Sequence, residues 1–168
     1  MNFNGQAFST FQLLIAAVVA LAILVLLLNI IGSLPNLGGQ KPNKVASDLV
    51  GSQVSAPSEL RTSNTVTFAR EDSLNAEAIA SASQVITRGQ VCLSLGDFDD
   101  GGNDFSKISD NIIRYNGSSN LRVRISVLCD TGIELAEDLE DNGVDSSWVG
   151  ECDVPDSQTA CVIALRYA

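Results

Sequence analysis

An uncharged, apolar segment near the N-terminus constrains this chain more than any other feature. The 19 residues Leu13–Ile31 (LLIAAVVALAILVLLLNII) include one polar residue, Asn29, and the first charged side chain is Lys41. As a helix this segment would be about 28 Å long, close to the thickness of a bilayer's hydrocarbon core. It is apolar on every face, which argues against an amphipathic helix on a protein core. We therefore predict a long N-terminal apolar helix embedded in a membrane or in the core of an assembly.

A cleaved secretory signal is the alternative interpretation of this segment. Such signals combine a basic n-region, about 7–15 apolar residues and a small-residue cleavage site. No Lys or Arg precedes Leu13, and the apolar segment is longer than that range. Residues Gly32–Pro35 could end a helix or form a weak cleavage region. We interpret the helix as retained.

Charge restricts the partners of the rest of the chain. All 10 Lys and Arg and all 20 Asp and Glu lie at or beyond Lys41, so the whole net charge of −10 belongs to residues 41–168. Nucleic-acid phosphates would be repelled, and we expect no nucleic-acid partner. The chain has no His, which removes the commonest general base and metal ligand. An acidic exterior suits a soluble, crowded surface.

The residues before the apolar segment read MNFNGQAFSTFQLL. A short polar leader ending in Gly, followed by Gln and a hydrophobic helix, resembles an archaeal type IV pilin precursor with a class III signal peptide. In that family a peptidase cuts after the Gly, and the helix packs with its copies in a filament core. The resemblance implies cleavage between Gly5 and Gln6, with residues 1–5 as leader and residues 6–31 as the membrane or filament-core helix. The chain departs from the family pattern in lacking a basic residue before Gly5 and in having Thr10 where an acidic residue is frequent.

Four cysteines occur in the C-terminal part: Cys92, Cys129, Cys152 and Cys161. An even number in a small domain is typical of disulfides formed in an oxidising compartment. A zinc site is the competing interpretation, but there is no Cys-x2-Cys pair and no His. Reduced core cysteines are the other alternative. We expect disulfides Cys152–Cys161, across a turn, and Cys92–Cys129, between neighbouring strands, with the domain outside the cytoplasm.

Residues 32–57 read as a linker, because Gly and Pro recur through its first half. Val45–Val50 could form a brief helical turn, and the segment is otherwise interpreted as a flexible tether or as an ordinary loop packed on the domain. Lys41 and Lys44 follow the helix. The positive-inside tendency would place the C-terminal side of the helix in the cytoplasm, whereas the cysteines indicate that the domain lies outside it.

Residues 58–168 are predicted to form an extracytoplasmic α+β domain with a small, mainly antiparallel sheet and two short helices. Alternating or continuous apolar patterns predict five strands and the helices. The strands are Thr65–Ala69, Val91–Leu95, Ile112–Tyr115, Leu121–Leu128 and Cys161–Tyr167; the helices are Leu74–Gln84, capped by Ser73, and Ile133–Leu139. Residues Asn116–Ser119 have hairpin-loop composition between two of these strands.

Three places could carry chemistry. The loop Asp97–Asp104 has carboxylates around two glycines, as a Ca²⁺ site needs, but Ile108 stands where an EF-hand has its closing Glu, which favours a solvated turn. The acidic run from Glu134 to Asp141 could provide an acid–base pair and is better interpreted as a solvent face. Asn116 begins the only Asn-x-Ser/Thr sequence, so it is a candidate N-glycosylation acceptor or simply a turn residue.

These features predict a structural protein with no cofactor and no catalytic or metal-ligating residues. The expected function is that of a pilus-like extracellular filament subunit, a homo-oligomer through the N-terminal helix. Before assembly the subunit would be inserted in the cytoplasmic membrane, and afterwards it would lie at the cell surface. The alternative is a monomeric, membrane-anchored extracytoplasmic binding or accessory domain.

Overall fold

The computed structural model describes residues 12–25, 41–99, 104–150, 152 and 154–168. The chain divides into two compact units, Met1–Gly38 and Gly39–Ala168. In the first unit, residues 12–25 form helix α1, and every residue of this helix is exposed. Its Leu and Ala content favours helix, although its valines and isoleucines are weaker helix formers.

The predicted long N-terminal apolar helix is wrong. Helix α1 as described has 14 residues, about 21 Å, and within the described ranges no helix is long and apolar enough to cross a membrane. Residues 6–11 and 26–31 of the prediction lie outside the described residues. A hydropathy pattern counts apolar side chains, whereas helix stability in proteins comes mostly from tertiary packing. Every described residue of α1 is exposed.

The second unit is α+β and consists mainly of sheet. Two of its described helices lie within residues 58–168, as predicted, and a third lies in the segment predicted as a linker. In chain order the elements are α2 Pro42–Gln53, β1 Arg61–Thr62, β2 Val66–Phe68, β3 Ser73–Asn75, α3 Ala76–Ser83, β4 Val91–Ser94, β5 Phe105–Ser109, β6 Ile112–Tyr115, β7 Leu121–Thr131, α4 Leu135–Asp141 and β8 Thr159–Tyr167, with short 3-10 turns at Arg88–Gln90, Gly96–Phe98 and Ser146–Val149.

Two sheets form from these strands. In the five-stranded sheet β8 lies between β7 and β4, while β1 and β2 both pair with β7. The β4–β8 pair is parallel and the other pairs are antiparallel. The second sheet has the order β3-β6-β5 and is antiparallel. The prediction of mainly antiparallel pairing is confirmed.

Buried and exposed side chains alternate along the first half of strand β7, as its sequence predicts. Val123, Ile125 and Val127 are fully buried in a core shared with α2, α3 and the three-stranded sheet. On the opposite face Leu128 packs with Leu135 of α4 in a second core cluster. Both faces are therefore covered over the second half of the strand. This explains why β7 extends to Thr131, beyond the predicted end at Leu128.

Helix α2 lies within the segment predicted as a linker. Pro42 occupies its first turn, where a missing N–H has no cost. Ala46 and Val50 are fully buried in the first core cluster. The Asn43 side chain donates to the Ser73 carbonyl (2.9 Å) and accepts from the Asn75 amide (2.8 Å), which fastens α2 to β3. Residues 42–53 are thus part of the folded unit and not a tether. The sequence predicts only a brief helical turn here, at Val45–Val50, because the apolar residues of the segment are few.

Two local predictions also differ from the structure. Asn116–Ser119 joins β6 to β7, but these strands belong to different sheets, so the loop is not a hairpin turn. Helix α3 is capped by Asn75, whose Oδ1 accepts from the Glu77 and Ala78 amides (2.9 and 3.2 Å). The predicted cap, Ser73, instead begins β3. Both Ser and Asn are good capping residues. Strand β3 continues through Asn75, so the helix begins only after that residue.

Candidate functional site

The exposed apolar surface of α1 is the first candidate functional surface. Nine large apolar side chains between Leu13 and Val25 are each 48–70% exposed. They include consecutive residues such as Leu13, Leu14 and Ile15, so the exposed surface surrounds the helix. Moving one such side chain from water to an apolar environment contributes about 1.5–3 kcal/mol. A surface of this kind is stabilised by lipid or by other apolar helices.

The predicted processing residues Gly5 and Gln6 lie outside the described residues. Cleavage between them stays a prediction.

All four cysteines form disulfides, as predicted, but the expected pairing is wrong. The bonds are Cys92–Cys152 and Cys129–Cys161, with Cα atoms 5.5 and 4.0 Å apart. Cys129 and Cys161 are direct partners in the β7–β8 register. Cys92 cannot reach Cys129, because β8 lies between their strands. Sequence spacing alone does not reveal that strand order.

The two disulfides lie on opposite faces of the five-stranded sheet. Cys129 and Cys161 belong to the first core cluster, whereas Cys92 and Cys152 belong to the second. One bond therefore joins β7 to β8, and the other joins β4 to the segment after the 3-10 turn Ser146–Val149. The residues of the Cys129–Cys161 bond are 32 positions apart in sequence, and those of the Cys92–Cys152 bond are 60 apart. A disulfide typically stabilises a fold by about 2–4 kcal/mol.

A pair of carboxyl groups lies where α4 meets the end of β7. Asp130 is 6% exposed, and its Oδ2 accepts from the Ser58 hydroxyl (2.7 Å) while its Oδ1 accepts from the Thr131 amide (2.6 Å). Burial alone would raise the pKa of Asp130, but these hydrogen bonds outweigh it and lower the pKa. Asp130 is therefore the ionised member of the pair.

Asp138 is the other member. Its Oδ2 is buried and has no hydrogen-bond partner among the described residues. Burial raises the pKa of Asp138, and Asp130 raises it further, because it can accept a hydrogen bond from protonated Asp138 and because its charge repels ionised Asp138. A proton on Asp138 would let its buried carboxyl group donate to the Asp130 carboxylate. The pair, together with Asn142, whose Nδ2 donates to the Ser58 carbonyl (3.1 Å), fixes α4 to the sheet.

The other members of the acidic run form a solvent face, as the sequence predicts. Glu134, Glu137, Glu140 and Asp141 are exposed. Asp138 alone points inward, next to the fully buried Leu139. Sequence reasoning missed the partner Asp130. The sequence feature that could have identified Asp130 is its position directly after Cys129, in the strand that precedes α4.

The candidate calcium loop Asp97–Asp104 lies partly outside the described residues, which stop at Asp99 and resume at Asp104. Asp97 has other partners: its Oδ2 accepts from the Tyr167 amide (3.2 Å) and lies 3.6 Å from Arg166 Nε. Within the described ranges, no group of three acidic or cysteine side chains could hold a metal ion.

The candidate glycosylation residue, Asn116, is exposed. Its Nδ2, the atom a glycan would occupy, donates to the Ser106 hydroxyl (2.8 Å). The following loop is fixed, since the Tyr115 hydroxyl donates to the Ser119 carbonyl. Modification at Asn116 would have to replace the contact with Ser106.

A cleft of about 190 Å³ lies beside β4. Arg88, Lys107 and Asp110 line it together with the Cys92–Cys152 disulfide. Lys107 is already paired with Asp110 (3.3 Å). Pockets for small organic ligands are usually about 300–1,000 Å³ and mostly apolar. This cleft is smaller and partly charged, which does not favour such a ligand.

The geometry thus offers an apolar helix surface, a disulfide-bonded sheet and a carboxyl pair that fixes α4. Comparison with protein-family models, with curated proteins and with solved structures found no match.

Proposed function

We propose that this chain is a structural subunit of a pilus-like extracellular filament. In the proposal, α1 segments of many copies pack together in the core, and residues 39–168 form the outer surface. The observation that carries it is the exposed apolar surface of α1, nine large side chains at 48–70% exposure. An apolar surface of this kind favours assembly, because association removes it from water.

Two further observations support the proposal. The two disulfides suit a surface outside the cytoplasm, where such bonds persist. The net charge of −10, carried by residues 41–168, suits a solvated exterior. The leader sequence around Gly5 and Gln6 resembles pilin precursors. Before assembly, the apolar segment would be kept in the cytoplasmic membrane.

The test places charges on α1 in the full chain. Val18→Asp with Leu21→Asp puts two carboxylates on an apolar surface, and we expect filaments seen by negative-stain electron microscopy to be lost. The matched control is Ile133→Asp, which charges a 67% exposed apolar residue of the second unit. Assembly should persist in the control. Assembly that survives the α1 double substitution would overturn the proposal.

A further inference from the structure

Three arginines share one end of one face of the five-stranded sheet. Arg122 and Arg124 lie two residues apart on β7, and Arg124 is the direct register partner of Arg166 on β8. Residues two apart on a strand point to the same face, as do direct cross-strand partners. These three residues are called the arginine patch. Like charges directly opposite each other destabilise a sheet, so the patch has an unfavourable electrostatic energy in the isolated subunit.

The charge of the patch is only partly neutralised. Arg166 is paired with Asp97 (Nε–Oδ2 3.6 Å) and lies over the Trp148 ring, 5.7 Å from its centroid. Arg122 and Arg124 are exposed, and no carboxylate of the described residues forms an ion pair with either. The chain has a net charge of −10 and only 10 basic residues. A local positive surface on such a chain fits an acidic partner.

The acidic face of α4 lies further along the same sheet face. Leu135 and Leu139 pack against Leu128, which shares a strand face with Arg122 and Arg124. The exposed acidic residues are Glu137, Glu140 and Asp141 of α4 and Glu134 just before it. None of them forms an ion pair with a described basic residue. At about 3.3 Å per residue, Asp130 beneath α4 is about 20 Å along β7 from Arg124.

Two surfaces of opposite charge therefore lie one behind the other along the strands. A second copy whose sheet face is turned toward that of the first, and which is displaced along β7, can place its acidic α4 on the arginine patch of the first copy. We propose that the arginine patch binds the acidic face of α4 of a second copy of this chain. The inference rests on the proposed filament function and adds which surfaces of the outer unit meet.

The experiment uses charge reversal in the full chain. One variant is Arg122→Glu/Arg124→Glu, another is Glu137→Lys/Glu140→Lys, and a third combines all four substitutions. The first lowers the net charge by 4, the second raises it by 4, and the combination leaves it at −10. The matched control, Arg70→Glu/Arg88→Glu, also lowers the charge by 4 at exposed positions outside the patch.

Two measurements are made on each variant. Sedimentation equilibrium in a non-ionic detergent reports self-association, and negative-stain microscopy after detergent removal reports filaments. Each single-surface reversal should weaken self-association at least about fivefold, since attraction between exposed charges becomes repulsion. The four-substitution variant should regain association. An equal mixture of the two single-surface variants should also associate, because each then meets a complementary surface on the other. The control should behave as the unmodified chain.

Failure of this inference and failure of the filament proposal are distinguishable. If the patch variant associates as tightly as the unmodified chain in detergent, or the mixture does not recover, the patch contact is wrong even where filaments form. If the unmodified chain forms no filaments but shows the reversal and rescue pattern in detergent, the filament proposal fails and the contact stands. Salt gives a further readout: raising it from 0.15 M to 1 M shortens the screening length from about 8 to 3 Å and should weaken association.

Discussion

Asp130 and Asp138 bring two carboxyl groups together beneath α4, and their titration has opposite effects on stability. The pKa of Asp138 is raised in the folded state, so its contribution is present at low pH and is lost as pH rises through its folded pKa. The pKa of Asp130 is lowered, so its contribution is lost as pH falls through its folded pKa. The junction between α4 and the sheet should therefore be most stable when the pair holds one proton.

Replacing Asp138 by Asn should remove the alkaline part of this pH dependence. The Asn amide can donate to Asp130 at every pH, as a protonated Asp138 does only below its pKa. Relative to the unmodified chain, we expect Asp138→Asn to raise the free energy of unfolding at pH 8 by about 1 kcal/mol. Urea unfolding from pH 4 to 9 measures this. The control is Glu137→Gln, an exposed neighbour. Stability curves of variant and parent that stay parallel over this range would contradict the shared proton.

The sequence indicated an acidic helix here but not the pair. Five acidic residues close together are typical of a solvent face. Only the three-dimensional structure shows that Asp138 turns toward Asp130, since that depends on where α4 packs against β7.

Gly96 is required by its backbone conformation and by a close neighbour. Its φ is +57°, and a Cβ there would overlap the Leu165 carbonyl oxygen of β8. We expect Gly96→Ala to lower the free energy of unfolding by about 2 kcal/mol or more, from left-handed strain plus displacement of a central strand. Gly89→Ala is the control, since no atom lies within 4 Å of its added Cβ. It should change stability by less than about 0.5 kcal/mol. Equal effects of the two substitutions would contradict this account.

At the scale of elements, the N-cap of α3 gives a direct comparison of two residues. Asn75 accepts from two amides of the first turn, whereas Ser73, the residue predicted as the cap, lies in β3. We expect Asn75→Ala to cost about 1 kcal/mol and Ser73→Ala appreciably less. Thermal unfolding of both variants measures the difference. A larger loss in Ser73→Ala would mean that the helix starts at the earlier residue.

The disulfides report the order of the strands. Because β8 separates β4 from β7, the bonds Cys92–Cys152 and Cys129–Cys161 should be the only ones in the native protein. Mass spectrometry of peptides from non-reduced digests identifies the linked pairs. Peptides joining Cys92 to Cys129 would contradict the strand order, and four free thiols would remove the argument for a location outside the cytoplasm.

Sequence patterns predicted elements better than their arrangement. The predicted strand Ile112–Tyr115 coincides with β6, and the alternation in Leu121–Leu128 gave the buried face of β7. These signals are local. The pairing of β6 with β3 and β5 instead of β7, and the packing of α2, depend on contacts between distant residues. Periodicity within one segment does not contain that information.

At the scale of the whole molecule, the described residues combine an apolar helix with every residue exposed and a disulfide-bonded sheet unit. The first favours association away from water, and the second provides a charged surface that stays solvated. The proposed filament uses both properties, the helix in its core and the acidic unit outside. A monomeric anchored domain would use the helix only to stay at a membrane.

Negative-stain electron microscopy of the protein isolated from its native source tests the central claim most directly. We expect long filaments of uniform width, whose subunits are released by detergent because apolar contacts hold the core. Separate particles, or membrane fragments carrying scattered monomers, with no filaments at any protein concentration, would contradict it.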